Sequence, residues 1–194
     1  MQYYVDFKNL RSNEHLLSEF SKESLWCYKK IITDIKKLPN KIIKMLIDNN
    51  IKLLVSDVKF DLLEYFMFGL ESHYDRQSSI VRIYMGQLVK FKQYRYTSVV
   101  QHEIGHAIDN ILGKKLYNDK SYMMSEKFVG MYKKRALNYY ARSDVEEYFA
   151  VGFESYFSKY IKDYIGKDGI EHSKRELKTK DLPLYNYIKN LIKS

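Results

Sequence analysis

The sequence contains one cysteine, two prolines and eight glycines in 194 residues. The single cysteine, Cys27, excludes an intramolecular disulfide and any metal cluster built from several thiolates. The scarcity of proline and glycine argues against long flexible linkers. No apolar run approaches the ~18 residues that a membrane span requires. The first residues lack the basic, apolar and small-residue segments of a secretory signal, so we expect a cytoplasmic protein unless another route exports it.

The chain is basic, with 33 Lys and Arg against 24 Asp and Glu and a net charge of +9. Nucleic-acid binding requires such charge to be clustered on one surface. Most of the basic residues are lysines scattered through helical segments, where they form a solvated face. We therefore expect a monomer that binds neither nucleic acid nor a membrane.

Apolar patterns predict an α+β fold, with a small sheet and helices in the N-terminal half and a mostly helical C-terminal half. The predicted elements of the first half are helices over 14–37 and 41–48, the second capped by Asn40, and strands over 51–56 and 79–85. No element is predicted over 57–76. We expect one domain over 1–194, divided into an α/β part over 1–113 and a helical part over 114–194.

Residues 102–106, His-Glu-Ile-Gly-His, form a complete HExxH motif. Ser98 and Gln101 form a capping box that predicts the start of a helix just before the motif. One face of this helix is apolar and predicted to be core, through Val100, Ile104, Ala107, Ile108 and Ile111. The motif is therefore predicted to lie on an amphipathic helix, and this helix is the last element of the predicted N-terminal part.

Two imidazoles one helical turn apart can bind a single zinc ion, so His102 and His106 are predicted metal ligands. Glu103 lies beside them and is predicted to act as a general base that takes a proton from the attacking water. Asp109 falls on the same face, where its carboxylate can accept a hydrogen bond from a ligand histidine and fix the tautomer. The pattern predicts one zinc ion per chain.

The third ligand must come from elsewhere in the sequence. A third histidine six residues after His106 is absent, because Leu112 stands there. The remaining histidines lie in segments that we expect to be solvated: His15, His73 and His172. A glutamate from a downstream helix is the usual alternative.

Residues 143–153 predict such a helix, with Ser143 and Glu146 as a second capping box. An aromatic face of this helix is predicted to be core, and Glu147 lies on the opposite face. Glu147 is therefore the predicted third ligand, with Glu146 as the alternative. Glu154, two turns further along, is predicted to be solvated or to lie in the outer shell of the metal.

The HExxH motif, with Tyr140 seven residues before Glu147 and Glu147 followed by Tyr-Phe-Ala, resembles the catalytic domain of anthrax lethal factor. It equally resembles the clostridial Pro-Pro endopeptidases, which are small relatives of that domain. The resemblance is clear over about 97–157 and only general before it. It implies a zincin-like peptidase fold.

The resemblance also implies a role for each matching residue. His102, His106 and Glu147 would bind zinc, Glu103 would be the general base, and Tyr140 would stabilise the oxyanion. The neighbouring Tyr139 is an alternative oxyanion donor. The family commonly has an acidic residue one turn after the ligand glutamate, where this chain has Val151.

The strand over 79–85 resembles the edge strand on which zincins of this kind bind an extended peptide. Its residues Ile83, Tyr84 and Met85 are therefore predicted to bind substrate, although a plain structural strand is the alternative. The loop residues that enforce proline preference in the relatives are not recognisable, so no cleavage-site preference is predicted.

Three functional hypotheses follow. The first is a zinc metalloendopeptidase that acts on an extended segment of a protein or peptide. The second is an intracellular regulatory HExxH protease that cleaves a repressor-type protein. The third is a non-catalytic binding module with a basic surface, which the intact Glu103 of the motif argues against.

Overall fold

A computed structural model describes residues 2–10, 20–56, 71–90, 98–117, 130–132, 141, 144–158 and 173–193. It confirms a mixed α+β protein with a small four-stranded sheet that is otherwise mostly helical. The chain divides into two compact units, Met1–Arg95 and Tyr96–Ser194. Across the described parts of both units, no helix has the length and apolar character needed to cross a membrane.

The sheet lies in the first unit. Its strands are β1 (Gln2–Val5), β2 (Lys52–Ser56), β3 (His73–Asp75) and β4 (Ile80–Tyr84). The order in the sheet is β1-β2-β4-β3, with β2 and β4 parallel and the two outer strands antiparallel to their neighbours. The central strands are nearly all apolar and buried, as expected of parallel strands covered on both faces. The predicted strands over 51–56 and 79–85 are confirmed with slightly shorter bounds.

A tight turn joins β3 to β4. The carboxylate of Asp75 accepts hydrogen bonds from the backbone N–H groups of Gln77 and Ser78, at 3.0 and 3.3 Å. Ser79 then adopts a positive φ of 57°, a conformation uncommon for a residue with a side chain. This local network folds the short β3 back onto β4.

Because β3 pairs with β4, the prediction that the strand over 79–85 is an edge strand is wrong. Ile83 and Tyr84 are buried within the sheet, and Met85 is buried at the start of the next helix. The N–H of Tyr84 donates to the hydroxyl of Ser72 at 3.0 Å. The register pairs β3 with Ile80, Val81 and Arg82 of β4. The predicted role of the next three residues in substrate binding stays a prediction.

The described helices of the first unit are α1 (Lys22–Lys36), α2 (Asn40–Asp48) and α3 (Met85–Lys90). The hydroxyl of Ser21 caps α1 by accepting from the N–H of Ser24 at 3.1 Å. The beginning of the helix predicted over 14–37 lies outside the described residues. Pro39 occupies the N-cap position of α2, so Asn40 is the first helical residue and the predicted cap is wrong. Proline suits this position because its fixed φ is already compatible with the chain entering a helix.

The second unit is helical throughout its described residues. Its helices are α4 (Val99–Tyr117), α5 (Val145–Phe157), α6 (Lys174–Lys180) and α7 (Leu182–Lys193). The HExxH motif lies in α4 and so belongs to this unit, whereas the sequence placed it at the end of the N-terminal part. The predicted helices around the motif and after residue 143 are both confirmed.

Helix α5 packs against both α4 and α7, and its residues from Tyr148 to Ser155 are buried. It approaches α4 where Gly105 faces Ala150, so closely that a Cβ on Gly105 would lie 3.0 Å from the Cα of Ala150. It approaches α7 where Gly152 contacts Leu184. The helix is therefore buried on both faces, not only on the predicted aromatic face.

Asp181 fixes the rotation of α5 about its axis. One carboxylate oxygen accepts from the hydroxyl of Tyr148 at 2.5 Å, and the other accepts from the N–H of Leu184 at the start of α7. Asp181 is fully buried, so both of its oxygens need these partners. Since Tyr148 follows Glu147 in the chain, this contact also sets the direction in which Glu147 projects.

Candidate metal centre

The helix that carries the motif begins with a side-chain cap. The hydroxyl of Ser98 accepts from the N–H of Gln101 at 3.2 Å, which confirms one half of the predicted capping box. The N–H of Ser98 itself donates to Oε1 of Glu154 at 2.9 Å. In a capping box, this N–H would donate to the side chain of Gln101. Here it donates to the carboxylate of Glu154 from α5 instead.

The two faces of α4 differ as predicted. The apolar residues of the predicted core face are buried: Val100, Ile104, Ala107, Ile108 and Ile111. On the other face, the side chains of His102 and His106 retain 12% and 13% of their exposure. Their rings lie nearly perpendicular, with centroids 4.9 Å apart. The packing of one face thus holds both imidazoles in place at a partly open surface.

Glu147 of α5 lies against both imidazoles. Its Oε2 is 3.1 Å from Nε2 of His102, and its Oε1 is 3.5 Å from Nε2 of His106. Each of the three residues offers one ligand atom, and these atoms lie within 4.8 Å of one another. The structure therefore brings together a His102, His106 and Glu147 group that could hold a metal ion.

The spacing of these atoms suits a small tetrahedral ion. Bonds of about 2.0–2.1 Å place the ligands of such an ion about 3.3 Å apart. The two separations between Glu147 and the imidazoles, 3.1 and 3.5 Å, are close to this value. Oε2 of Glu147 is buried and has no hydrogen-bond partner among the described residues, despite its short distance to His102. A buried carboxylate oxygen without a hydrogen bond is costly, and a metal ion would supply the missing partner. Two imidazole nitrogens and a carboxylate oxygen form a donor set that zinc accepts.

Opposite charges stabilise the centre without a metal. Burial alone lowers the pKa of His102, but contacts with the carboxylates of Glu147 and Glu154 and the charge of Glu103 raise it to about 10. Burial raises the pKa of Glu147, but contacts with His102 and His106 hold it well below its usual range. The metal-free site therefore pairs an imidazolium with a carboxylate, and a bound metal ion displaces the proton.

Two further acidic residues of α4 are buried. Glu103 is 6% exposed, and its charge acts on His102, so it lies beside the group. Asp109 is fully buried. Its predicted hydrogen bond to a ligand histidine stays a prediction.

The start of α5 differs from the predicted capping box. Asp144 is the N-cap, and its carboxylate accepts from the N–H of Glu146 at 2.6 Å. Aspartate caps as well as serine does, and its charge interacts favourably with the helix dipole. Ser143, the predicted cap, lies outside the described residues. Glu146 stays in the first turn, and the group that could hold a metal contains Glu147 instead.

The structure decides between the two predicted environments of Glu154, which were solvent and the outer shell of the metal. Its side chain is 4% exposed, so it is not solvated. Oε2 lies 3.3 Å from Nδ1 of His102, and Oε1 accepts from Ser98. The available signal was its spacing, since Glu154 follows Glu147 by seven residues and therefore lies on the same helix face.

Several residues considered for the site from the sequence lie elsewhere or outside the described residues. Tyr140, its alternative Tyr139, His15 and His172 lie outside the described residues. His73 lies in β3, where its Nδ1 is 2.8 Å from the carbonyl oxygen of Glu71. The roles of Tyr140 and Tyr139 therefore stay predictions.

The sequence has also been compared with known proteins. No protein-family model matches the chain, and a search of curated proteins finds no match. The candidate metal centre is supported by its own geometry, in which two helices bring His102, His106 and Glu147 together.

Proposed function

We propose that this protein is a zinc-dependent endopeptidase with a zincin-like fold, which hydrolyses a peptide bond in an extended segment of a protein. The observation that supports the proposal is the convergence of Glu147 on His102 and His106, with Glu103 buried beside them. An accidental HExxH sequence has no reason to meet a third ligand from another helix. The resemblance of the motif and its spacing to lethal-factor-like peptidases supports the same activity.

In this proposal His102, His106 and Glu147 would hold one zinc ion, which would supply Lewis-acid chemistry when bound. Glu103 accepts a proton from the attacking water and delivers it to the leaving amine. Glu103 is 6% exposed, so it is largely shielded from bulk solvent. The phenol of Tyr140 donates a hydrogen bond to the developing oxyanion.

The proposal is tested by comparing wild type with Glu103→Ala, both loaded with zinc. Each protein is incubated with a denatured proteome, and the new N-termini are identified by mass spectrometry. We expect wild type to produce a recurring set of cleavages and Glu103→Ala to lose at least about 100-fold of that activity, because the general base is gone. Zinc content should be the same in both, since Glu103 is not a ligand.

Identical cleavage patterns from the two proteins would contradict the proposed mechanism. A wild type that binds zinc but produces no new N-termini would mean that the centre is not that of an endopeptidase. Tyr140→Phe serves as a second variant, with an expected loss of about 10- to 1000-fold in kcat and unchanged zinc content.

A further inference from the structure

We propose that Glu154 is a positioning residue of this metal centre, whose carboxylate holds the ring of His102 so that Nε2 is the nitrogen offered to the metal. The inference depends on the proposed metal centre and names a residue to which the HExxH motif assigns no role. Glu154 lies on α5, the helix that also supplies Glu147, so one helix supplies both a ligand and its support.

The ring of His102 has a carboxylate on each of its two sides. Oε2 of Glu154 lies 3.3 Å from Nδ1, and Oε2 of Glu147 lies 3.1 Å from Nε2. When Nδ1–H donates to a carboxylate, the tautomer is fixed and the lone pair of Nε2 faces the ion. The same contact fixes the ring orientation and increases the basicity of the ligand nitrogen.

The carboxylate of Glu154 is itself held in place by α4. Oε1 of Glu154 accepts from the N–H of Ser98 at 2.9 Å, so each oxygen contacts a different point on α4. Ser98 and His102 are four residues apart, and Ser98 caps the helix on which His102 stands. The unpaired N–H groups at the start of a helix favour a negative charge there. Glu154 therefore connects the two helices at the level of the first ligand.

Val151, one turn after Glu147 on α5, is buried and offers no acceptor. Glu154 is two turns after Glu147 on the same face of α5 and reaches His102 from there. The carboxylate that supports His102 from α5 is therefore that of Glu154.

Glu154→Gln is the test variant, because an amide has one acceptor oxygen and cannot accept from both N–H groups. Zinc affinity is measured by competition with a chelator, and ligand geometry by the visible absorption spectrum of the cobalt-substituted protein. We expect zinc Kd to rise about 10- to 100-fold, the effect typical of losing an outer-shell partner. The cobalt bands should shift in position and intensity.

Glu176→Gln is the matched control. Glu176 is a partly buried glutamate of the same unit, and its carboxylate pairs with Lys180 of α6. We expect its zinc Kd and cobalt spectrum to equal those of wild type. Glu154→Asp, which keeps both oxygens on a shorter chain, should recover part of the zinc affinity that Glu154→Gln loses.

A third measurement does not depend on any variant folding. Nitrogen NMR of the zinc-loaded wild type should show Nδ1 of His102 protonated and Nε2 bound to metal. Metal on Nδ1 would overturn the inference, as would a Glu154→Gln variant with unchanged Kd and cobalt spectrum. Either result leaves zinc binding by wild type intact. A wild type that binds no zinc would overturn the metal centre and the inference together.

Discussion

Asp34 in the first unit and Glu147 in the second are both carboxylates held largely out of solvent, but their partners differ. The side chain of Asp34 is 1% exposed and pairs with Lys30 and Lys37, one turn before and after it on the same helix. Glu147 is 22% exposed, and its partners are two imidazoles from another helix. One of its oxygens has no hydrogen bond among the described residues.

The difference separates a structural carboxylate from one suited to binding a metal. Lysine side chains are flexible, and those of Lys30 and Lys37 are partly exposed, so they adapt to the carboxylate and neutralise it. The imidazoles opposite Glu147 are rigid and held by the packing of α4. Together with Glu147 they form a group of ligand atoms within 4.8 Å of one another that could hold a metal ion. Burial of a carboxylate therefore does not by itself indicate a functional site. Rigid partners from another helix are a stronger indication than flexible lysines of the same helix.

The largest expected effect is the loss of zinc from Glu147→Ala. Removing a direct ligand should weaken binding by more than the ~100-fold upper end of outer-shell effects. Zinc content after dialysis, measured by mass spectrometry, should fall from one per chain to a small fraction. Asp34→Ala is the matched control and should retain full zinc. Loss of zinc from both variants would contradict the inference that Glu147 binds the metal and Asp34 is only structural.

A smaller effect is expected from Gly105→Ala, which tests whether the metal centre depends on the close approach of two helices. The added Cβ would lie 3.0 Å from the Cα of Ala150, so the backbone of α5 must move away from α4. Overpacking costs about 1–3 kcal/mol, and the higher helix propensity of alanine offsets up to about 1 kcal/mol. We expect a net destabilisation of about 1 kcal/mol in urea unfolding, together with weaker zinc binding.

Gly130→Ala is the control for that variant, because a Cβ there would meet no atom within 4 Å. It should leave zinc affinity unchanged and should not destabilise the protein. Equal zinc affinity in wild type, Gly105→Ala and Gly130→Ala would show that the centre tolerates a change in helix separation. The position of Glu147 would then not depend on the close approach of the two helices.

The smallest effect is expected from Asp34→Asn. The amide oxygen still accepts from one lysine, and the other lysine can return to water because both are partly exposed. We expect a loss of at most about 1 kcal/mol in the free energy of unfolding and no change in zinc affinity. A loss of several kcal/mol would mean that Asp34 is as strongly constrained as the carboxylates of the second unit.

Local patterns determined much of the fold. The strand-like composition over 51–56, the alternation over 79–85 and the helical spacing in the C-terminal half predicted elements that the structure contains. Side-chain periodicity follows from strand and helix geometry. The short β3 was missed, since three residues are too few to show a period. The resemblance to zincins placed β4 at an edge of the sheet, whereas β3 lies beyond it.

The sequence alone determined that His102 and His106 share one face of a helix, because residues four apart on a helix always do. It also identified Glu147 as a candidate partner. Only the tertiary structure decided that Glu147 lies against both imidazoles and that Glu154 lies at Nδ1 of His102. Those contacts join residues more than forty positions apart, and they depend on how closely α4 and α5 approach at Gly105. No local pattern specifies that distance, because it is set by the packing of both helices together.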